Sequence, residues 1–364
     1  MENNKSVIVA GAGLWGATIA RVLAEKGFSV KVIEKRGVVG GNVRAGIDES
    51  SGIEVHLYGS HIFHTHIPEV WDFIRRFTEF NGYQHKVLAR YEDKMYFLPL
   101  GLALINKFFS LELTPGEVKD FMSDEKNSSR LFDAFFRGYT SKQWGKAPEE
   151  IDPSIIKRVP VRDNYDINYF SDTNQGIPLD GYNSIFDRMF DHSAIEIETD
   201  REFTVEDLDE AKSQGIHVFY SGPIDRLFGY KFGSLEWRSL RFETQRLSVK
   251  DYQGTSVVNY TEADVPWTRI HEFKHYHPEQ KNVMDRSETV IMREYPCDWK
   301  VGDEPYYPVN SPESAAMLEK YRQCLKDYPN LTVGGRLGEF KYYDMDQSIA
   351  KALEIAAAFS RERQ

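Results

Sequence analysis

The start of the chain constrains its fold more than any other part. Val7-Ile8-Val9-Ala10 is a short apolar run, and Gly11-Ala12-Gly13-Leu14-Trp15-Gly16 follows at once as a complete GxGxxG. Such a run suits a parallel strand buried on both faces. The next segment, Ala17 to Lys26, reads as an amphipathic helix with Ile19, Val22 and Leu23 on one face, ended by Gly27. A second strand, Val30 to Ile33, closes on Glu34. Gly11 permits the tight strand-to-helix turn, Gly13 lets a pyrophosphate approach the backbone, and Gly16 lets the helix pack close to the sheet. Leu14 and Trp15 share the helix start, where free N–H groups and the helix dipole favour phosphate. Glu34 can accept hydrogen bonds from an adenosine ribose. A lone GxGxxG is a weak signal. Strand, glycines, helix, strand and acid in one β-α-β unit are a strong one.

The segment after Glu34 discriminates between dinucleotides. Lys35-Arg36-Gly37-Val38-Val39-Gly40-Gly41-Asn42 contains a second paired-glycine loop, which a plain NAD fold does not require. It resembles the extended signature of a large class of FAD proteins, so FAD is favoured over NAD, with Lys35, Gly41 and Asn42 among the cofactor residues. The far end offers a partner. Val333-Gly334-Gly335-Arg336 has the form of a strand entering a glycine turn, and Tyr342-Tyr343-Asp344-Met345 leads into a final helix with Ile349, Leu353 and Ala356 in register.

Two glycine-loop segments at opposite ends of 364 residues predict one discontinuous dinucleotide domain with insertions, and the length allows two or three units. The expected boundaries are 1–67, 191–225 and 311–364 for that domain, 68–150 for a helical domain, and 151–190 with 226–310 for a loop and antiparallel sheet domain. Val70, Phe73, Ile74 and Phe77 mark an amphipathic helix, and Leu131 to Tyr139 another, with polar Asp124 to Ser129 between them as a loop. The fold class is α/β: a Rossmann-like FAD-binding domain with an inserted helical domain and an inserted antiparallel-sheet domain.

Composition excludes some functions. A net charge of −11 argues against a general nucleic-acid or anionic-membrane binder, while leaving room for a small anion held by a few arginines. Two cysteines, Cys297 and Cys324, rule out a disulfide framework. No apolar run approaches the ~18 residues of a membrane span, and no signal core precedes the first strand, so a cytoplasmic protein is expected. His56, His61, His64 and His66 crowd together, but their spacing fits no usual zinc pattern, and no metal is expected.

Several separated motifs together resemble the bacterial UDP-galactopyranose mutase family. Beyond the glycine loops they are Tyr58-Gly59-Ser60-His61-Ile62-Phe63-His64-Thr65, Gly138-Tyr139-Thr140-Ser141-Lys142-Gln143-Trp144-Gly145, Ile155-Ile156-Lys157-Arg158, Asn168-Tyr169-Phe170-Ser171-Asp172, Tyr220-Ser221-Gly222-Pro223-Ile224-Asp225, Val265-Pro266-Trp267-Thr268-Arg269 and Gly302-Asp303-Glu304-Pro305-Tyr306-Tyr307-Pro308. The resemblance implies an isomerase that interconverts UDP-galactopyranose and UDP-galactofuranose without net redox change. Reduced FAD, supplied with electrons by NADPH or NADH, would attack the anomeric carbon through N5 and form a flavin–iminium adduct.

The same resemblance implies roles for single residues. Arg158 and Arg269 would hold the diphosphate, with Arg158 on a mobile loop; Arg forks suit phosphate oxygens. Tyr139 would stack on uracil, with Phe135 and Trp144 nearby, and Tyr169, Tyr307 and Tyr342 would hydrogen-bond the diphosphate. Asn259 matches a substrate-region position. His61 and His64 match positions beside the flavin, and Gly335, Arg336, Tyr343, Asp344 and Met345 match flavin contacts. From spacing alone, Tyr139 and Trp144 read better as a core aromatic cluster.

Departures from the family bear on selectivity and assembly. Ser60 stands where Ala or Pro is common, Thr173-Asn174 where Arg-Tyr is, and Trp267 where Tyr is. They open the alternative of a related sugar nucleotide, UDP-N-acetylgalactosamine or dTDP-fucose. The stretch Phe121 to Phe136 is short in a region that contributes to the relatives' homodimer. Two rival classes stand beside this reading, the first sharing the N-terminal signature and the second the general fold. An amine oxidase-like oxidoreductase predicts stoichiometric electron flow, and a GTPase escort protein predicts a colourless chain.

Overall fold

A computed structural model describes residues 5–147, 150 and 161–363. Its organising element is a five-stranded parallel sheet. Ser6–Ala10 (β1) lies at its centre, between Ser29–Ile33 (β2) and His217–Tyr220; Ile195–Glu198 and Leu331–Val333 form the edges. The helix Leu14–Glu25 (α1) starts at Gly13, which has no side chain to occupy the first N–H groups. Ile19 and Leu23 of α1 are fully buried, and the final helix, Met345–Glu362, packs against it, with the Phe359 ring tilted at 45° to Phe28, 5.6 Å away. Both chain ends therefore pack together around the parallel sheet.

The second unit is a seven-stranded sheet. Its order is Tyr307–Pro308, Trp237–Leu247, Thr289–Asp298, Arg269–Glu272, Val257–Tyr260, Val87–Tyr91 and Lys94–Leu98. All neighbours are antiparallel except Val257–Tyr260 with Val87–Tyr91. The helical unit packs on this sheet. Glu125–Phe132, a π-helical stretch Asp133–Arg137 and Gly138–Trp144 run consecutively, and a Cβ at Gly138 would lie 2.4 Å from the Thr261 carbonyl oxygen. That direct contact fixes where Tyr139 points relative to the sheet.

Three expectations are corrected. Residues 87–98 form a hairpin of the large sheet although the 68–150 segment reads as helical; alternating burial at Val87, Ala89 and Tyr96 is a strand pattern. Asp124 to Ser129 is helix, not loop: Asp124 caps it by accepting from the Lys126 N–H at 2.9 Å, and its polar residues face solvent while Leu131 is buried. Gly181–Phe190 belongs with the dinucleotide unit, since Tyr182, Ile185, Phe186 and Met189 pack into the core around α1.

Candidate active site

A cleft opens at the carboxyl ends of the parallel strands, where open α/β sheets take ligands. Gly11, Gly13, Leu14, Trp15, Glu34, Lys35, Gly41, Asn42, His61, Gly335, Arg336, Tyr343 and Met345 all line it. Gly16 lies beneath: a Cβ there would sit 1.9 Å from the Gly11 carbonyl oxygen, so α1 touches the strand turn directly. Gly41 (φ +55°) would place a Cβ 3.0 Å from Gly13 Cα, so the two glycine loops form one floor. Asp344 is not part of the lining. It starts the final helix, where its N–H donates to Gln347 Oε1 at 3.1 Å.

Glu34 is 5% exposed and accepts from the Ala12 N–H at 2.7 Å and the Arg36 N–H at 2.9 Å. Each carboxylate oxygen keeps room for a further donor. Lys35 turns to Glu304 at 2.7 Å, and Arg36 bridges Glu304 and Asn42, each at 2.8 Å. Two groups on the cleft wall, Trp15 Nε1 and His61 Nδ1, are buried without a protein partner. Buried polar atoms are seldom left so, and glycine backbone plus these two atoms suits a bound dinucleotide.

A second constellation lies where this cleft meets the large sheet. Arg336 bonds the Tyr343 carbonyl oxygen at 2.6 Å and sits 4.5 Å over the Tyr342 ring. Tyr342 stacks on Tyr307 at 6.0 Å and 16°. Arg269 donates from Nη2 to the Tyr139 hydroxyl at 2.6 Å and pairs through Nε with Glu294 Oε1 at 3.2 Å. Asn259 faces Arg269 in the strand register, and its Oδ1 is buried without a partner. Tyr169 meets His85 edge-on at 5.6 Å, and His85 stacks with Phe170. His64 also stacks on Phe170, at 3.6 Å, and bonds Asp172 at 2.7 Å; it is on this side and not in the cofactor cleft.

The ionisation states follow from burial. Desolvation raises the pKa of Tyr139 and Tyr307, and that of Tyr342 to about 12, so all three are hydroxyl donors at neutral pH. Burial drives His61 down to about 4 and both His56 and His85 down to about 3. Burial pushes the Glu294 carboxyl up, but the Arg269 charge and the His271 bond outweigh it and leave its pKa lowered. Arg269 stays charged, with the Glu294 carboxylate overcoming its own desolvation.

Other expected residues fall elsewhere. Phe135 is 4% exposed and packs among Tyr91, Tyr96 and Phe108 in the core of the helical unit. Trp144 ends the Tyr139 helix, half-buried. Arg158 lies outside the described residues. The histidines diverge: His56 stacks flat on Tyr276 at 5.2 Å, while His64 and the exposed His66 share Asp172. Reading the sequence missed Glu294, His271, His85 and Lys142. Glu294 carried a signal, as an acid inside the strand-like run Val290-Ile291-Met292 to Tyr295.

The parallel sheet and its two glycine loops define a Rossmann-like α/β protein with a second, largely antiparallel sheet unit that carries the adjoining Arg–Tyr cluster. A family described as NAD(P)-binding Rossmann-like domain matches residues 9–77, and the UDP-galactopyranose mutase family matches residues 134–342. A Klebsiella pneumoniae protein named "Probable UDP-galactopyranose mutase" is 40% identical over 374 residues, covering 98% of this chain and 95% of the relative. An Escherichia coli dTDP-fucopyranose mutase is 39% identical over 373 residues, with 97% and 98% covered. The crystal structure of a reduced UDP-galactopyranose mutase shares the fold, with a TM-score of 0.73 at 15% identity over 97% of this chain and 95% of that one. The chain belongs to the UDP-galactopyranose mutase family of enzymes. Among the described residues, no helix is long and apolar enough to cross a membrane.

Proposed function

We propose that the protein interconverts UDP-galactopyranose and UDP-galactofuranose, with FAD as its cofactor and NADPH or NADH as the source of electrons. The observation that carries this reading is the junction of the cleft with the Arg–Tyr cluster: Arg336 lines the dinucleotide cleft and also sits 4.5 Å over Tyr342, which stacks on Tyr307. When bound and reduced, FAD would supply a nucleophile at N5 for the anomeric carbon, at no net redox cost. The chain's own part is binding and placement. Arg269 would fork onto the diphosphate, and Tyr169, Tyr307 and Tyr342 would donate hydroxyl hydrogens to it. Tyr139, held by Arg269, would stack on uracil, with Trp144 at the end of its helix. His61 would turn its unpartnered Nδ1 to the flavin side, and Asn259 its Oδ1 to the sugar. Because Glu294 already neutralises part of Arg269, a second cation is called for, and Arg158 is the one this reading assigns.

The dTDP-fucopyranose mutase relative is as similar as the UDP-galactopyranose mutase one, at 39% against 40%. The deciding experiment therefore offers both sugar nucleotides to dithionite-reduced and to oxidised protein and resolves pyranose from furanose by chromatography. Turnover of UDP-galactofuranose by the reduced form alone is the expected result. Turnover of the dTDP-sugar alone would correct the substrate, equal activity of oxidised protein would reject the N5 route, and stoichiometric electron consumption would favour an oxidoreductase. Arg269→Ala should lower kcat/KM by roughly 100-fold or more while FAD stays bound, the scale expected when a buried charged contact is lost.

A further inference from the structure

Behind Arg269 a chain of hydrogen bonds runs into the core. Glu294 Oε1 faces Arg269, and its Oε2 lies 3.2 Å from His271 Nε2. His271 Nδ1 lies 2.5 Å from Ser60 Oγ, and the Tyr276 hydroxyl donates to Ser60 Oγ at 2.6 Å. His271 is 0% exposed and Glu294 2%. Ser60 immediately precedes His61, which lines the dinucleotide cleft.

The direction of every bond can be assigned. Burial holds His271 below the usual imidazole range, against the opposing pull of Glu294, so it carries one N–H. A carboxylate only accepts, which puts that hydrogen on Nε2. Nδ1 must then accept, and the Ser60 O–H must donate to it. Ser60 Oγ in turn accepts from Tyr276. The chain reads Tyr276 to Ser60 to His271 to Glu294, with the Arg269 guanidinium ion-paired to Glu294 from the other side, Nε to Oε1 at 3.2 Å.

We infer that Ser60 and His271 are positioning residues: they orient the Glu294 carboxylate, which sets the Arg269 guanidinium, and they tie the His61 loop to the Arg269 strand. The inference rests on Arg269 as the diphosphate clamp. Thr268 Oγ1 also donates to Glu294 Oε1, at a longer 3.4 Å; with the His271 bond loosened the carboxylate can rotate, and the guanidinium it anchors loses its fixed fork. Arg269 would contact the diphosphate in ground state and transition state alike, so its misplacement should raise KM and spare kcat.

The test uses FAD-loaded protein with three variants and the two UDP-sugars. Ser60→Ala should raise KM roughly 3- to 10-fold, the scale of one hydrogen bond, with kcat within about twofold. Ser60→Thr should restore KM, because it restores the hydroxyl. His271→Phe, which removes the Nε2 bond to Glu294, should raise KM further. Imidazole 15N NMR of the wild type should show His271 as the Nε2–H tautomer, with its Nδ1 resonance moved in Ser60→Ala. An Nδ1–H tautomer, or an unchanged KM in Ser60→Ala, would overturn the relay. Ser60→Ala removes no ring packing, so it decides the matter even where His271→Phe does not fold. The clamp is judged apart, by UDP affinity in Arg269→Ala: an unchanged Kd there removes the clamp and leaves the tautomer result standing.

Discussion

Lys142 offers a severe test of how the site is assembled. Its ammonium donates to three backbone carbonyls, of Tyr260 at 2.8 Å and of Val265 and Trp267 at 3.0 Å each. It thereby pins the Gly138–Trp144 helix, which carries Tyr139, onto the loop that leads into Arg269. Burial lowers its pKa to about 8 against Asp264 and Glu262, which raise it, so the group is charged at pH 7. Lys142→Met keeps an unbranched side chain one atom shorter and removes the charge. Charged hydrogen bonds contribute about 1.5–3 kcal/mol each, and the ammonium's desolvation offsets several kcal/mol of their sum. Each carbonyl left without a donor costs about 1 kcal/mol, which sets a net loss of about 3 kcal/mol. With an unfolding entropy of about 2.1 cal/mol/K per residue, a loss of that size lowers Tm by only about 4 °C. Local opening is the sharper readout, since about 3 kcal/mol corresponds to roughly 100-fold faster exchange in the affected unit. Hydrogen exchange followed by mass spectrometry should show it in peptides spanning 138–144 and 261–267, with weaker UDP binding because Tyr139 is displaced. Exchange and UDP affinity both matching wild type would refute the pinning role.

Two further outcomes follow from the same geometry. Gly16→Ala would set a Cβ 1.9 Å from the Gly11 carbonyl oxygen, so α1 must move by about 1 Å to restore van der Waals contact; the variant should purify with most of its flavin absorbance lost, and full retention at unchanged Tm would contradict it. The protein should also lose stability as pH falls from about 6.5 to 5, because burial holds His56 and His85 down near 3. Below the unfolded value of 6.5 the unfolded chain takes up those protons and the native one does not, which costs about 1.4 kcal/mol per pH unit per histidine. His275 and His277, whose pKa values are raised, act above pH 6.5 and leave that window alone. Urea midpoints that stay level between pH 6.5 and 5 would show that these imidazoles are not buried neutral.

The dinucleotide unit was legible because its signals are local. GxGxxG, the Gly40-Gly41 pair and Gly334-Gly335 each mark a backbone approach that no other residue type permits, and all fall within a few residues of the elements they join. The large sheet was less legible. Its strands at 87–98 are separated from their partners at 257–260 by most of the middle of the chain, and strand 94–98 is an edge with exposed Met95 and Phe97, so its alternation is muted. Phe135 shows a different limit. It and Tyr139 lie on one continuous helical run, but the π-helical stretch 133–137 changes the register between them, turning Phe135 to the core and Tyr139 to Arg269. A periodicity of 3.6 cannot anticipate an inserted residue.

The charge balance at the site explains how an acidic chain can still hold a diphosphate. A net charge of −11 is a property of the whole surface, whereas the diphosphate reading depends on groups that are buried and oriented. Arg269 alone would be a strong cation, but Glu294 beside it removes much of its long-range field and leaves a directional fork. Glu294 therefore trades attraction for geometry, and the buried His271 makes the trade stable by holding the carboxylate from behind. On this arrangement electrostatic steering is weak and recognition is short-range. UDP affinity should then depend little on salt for the Arg269 contact, less than a solvent-exposed cluster of the same charge would. A steep salt dependence in the wild type that vanishes in Arg269→Ala would show the opposite, that Arg269 acts as an open cation and Glu294 does not shield it.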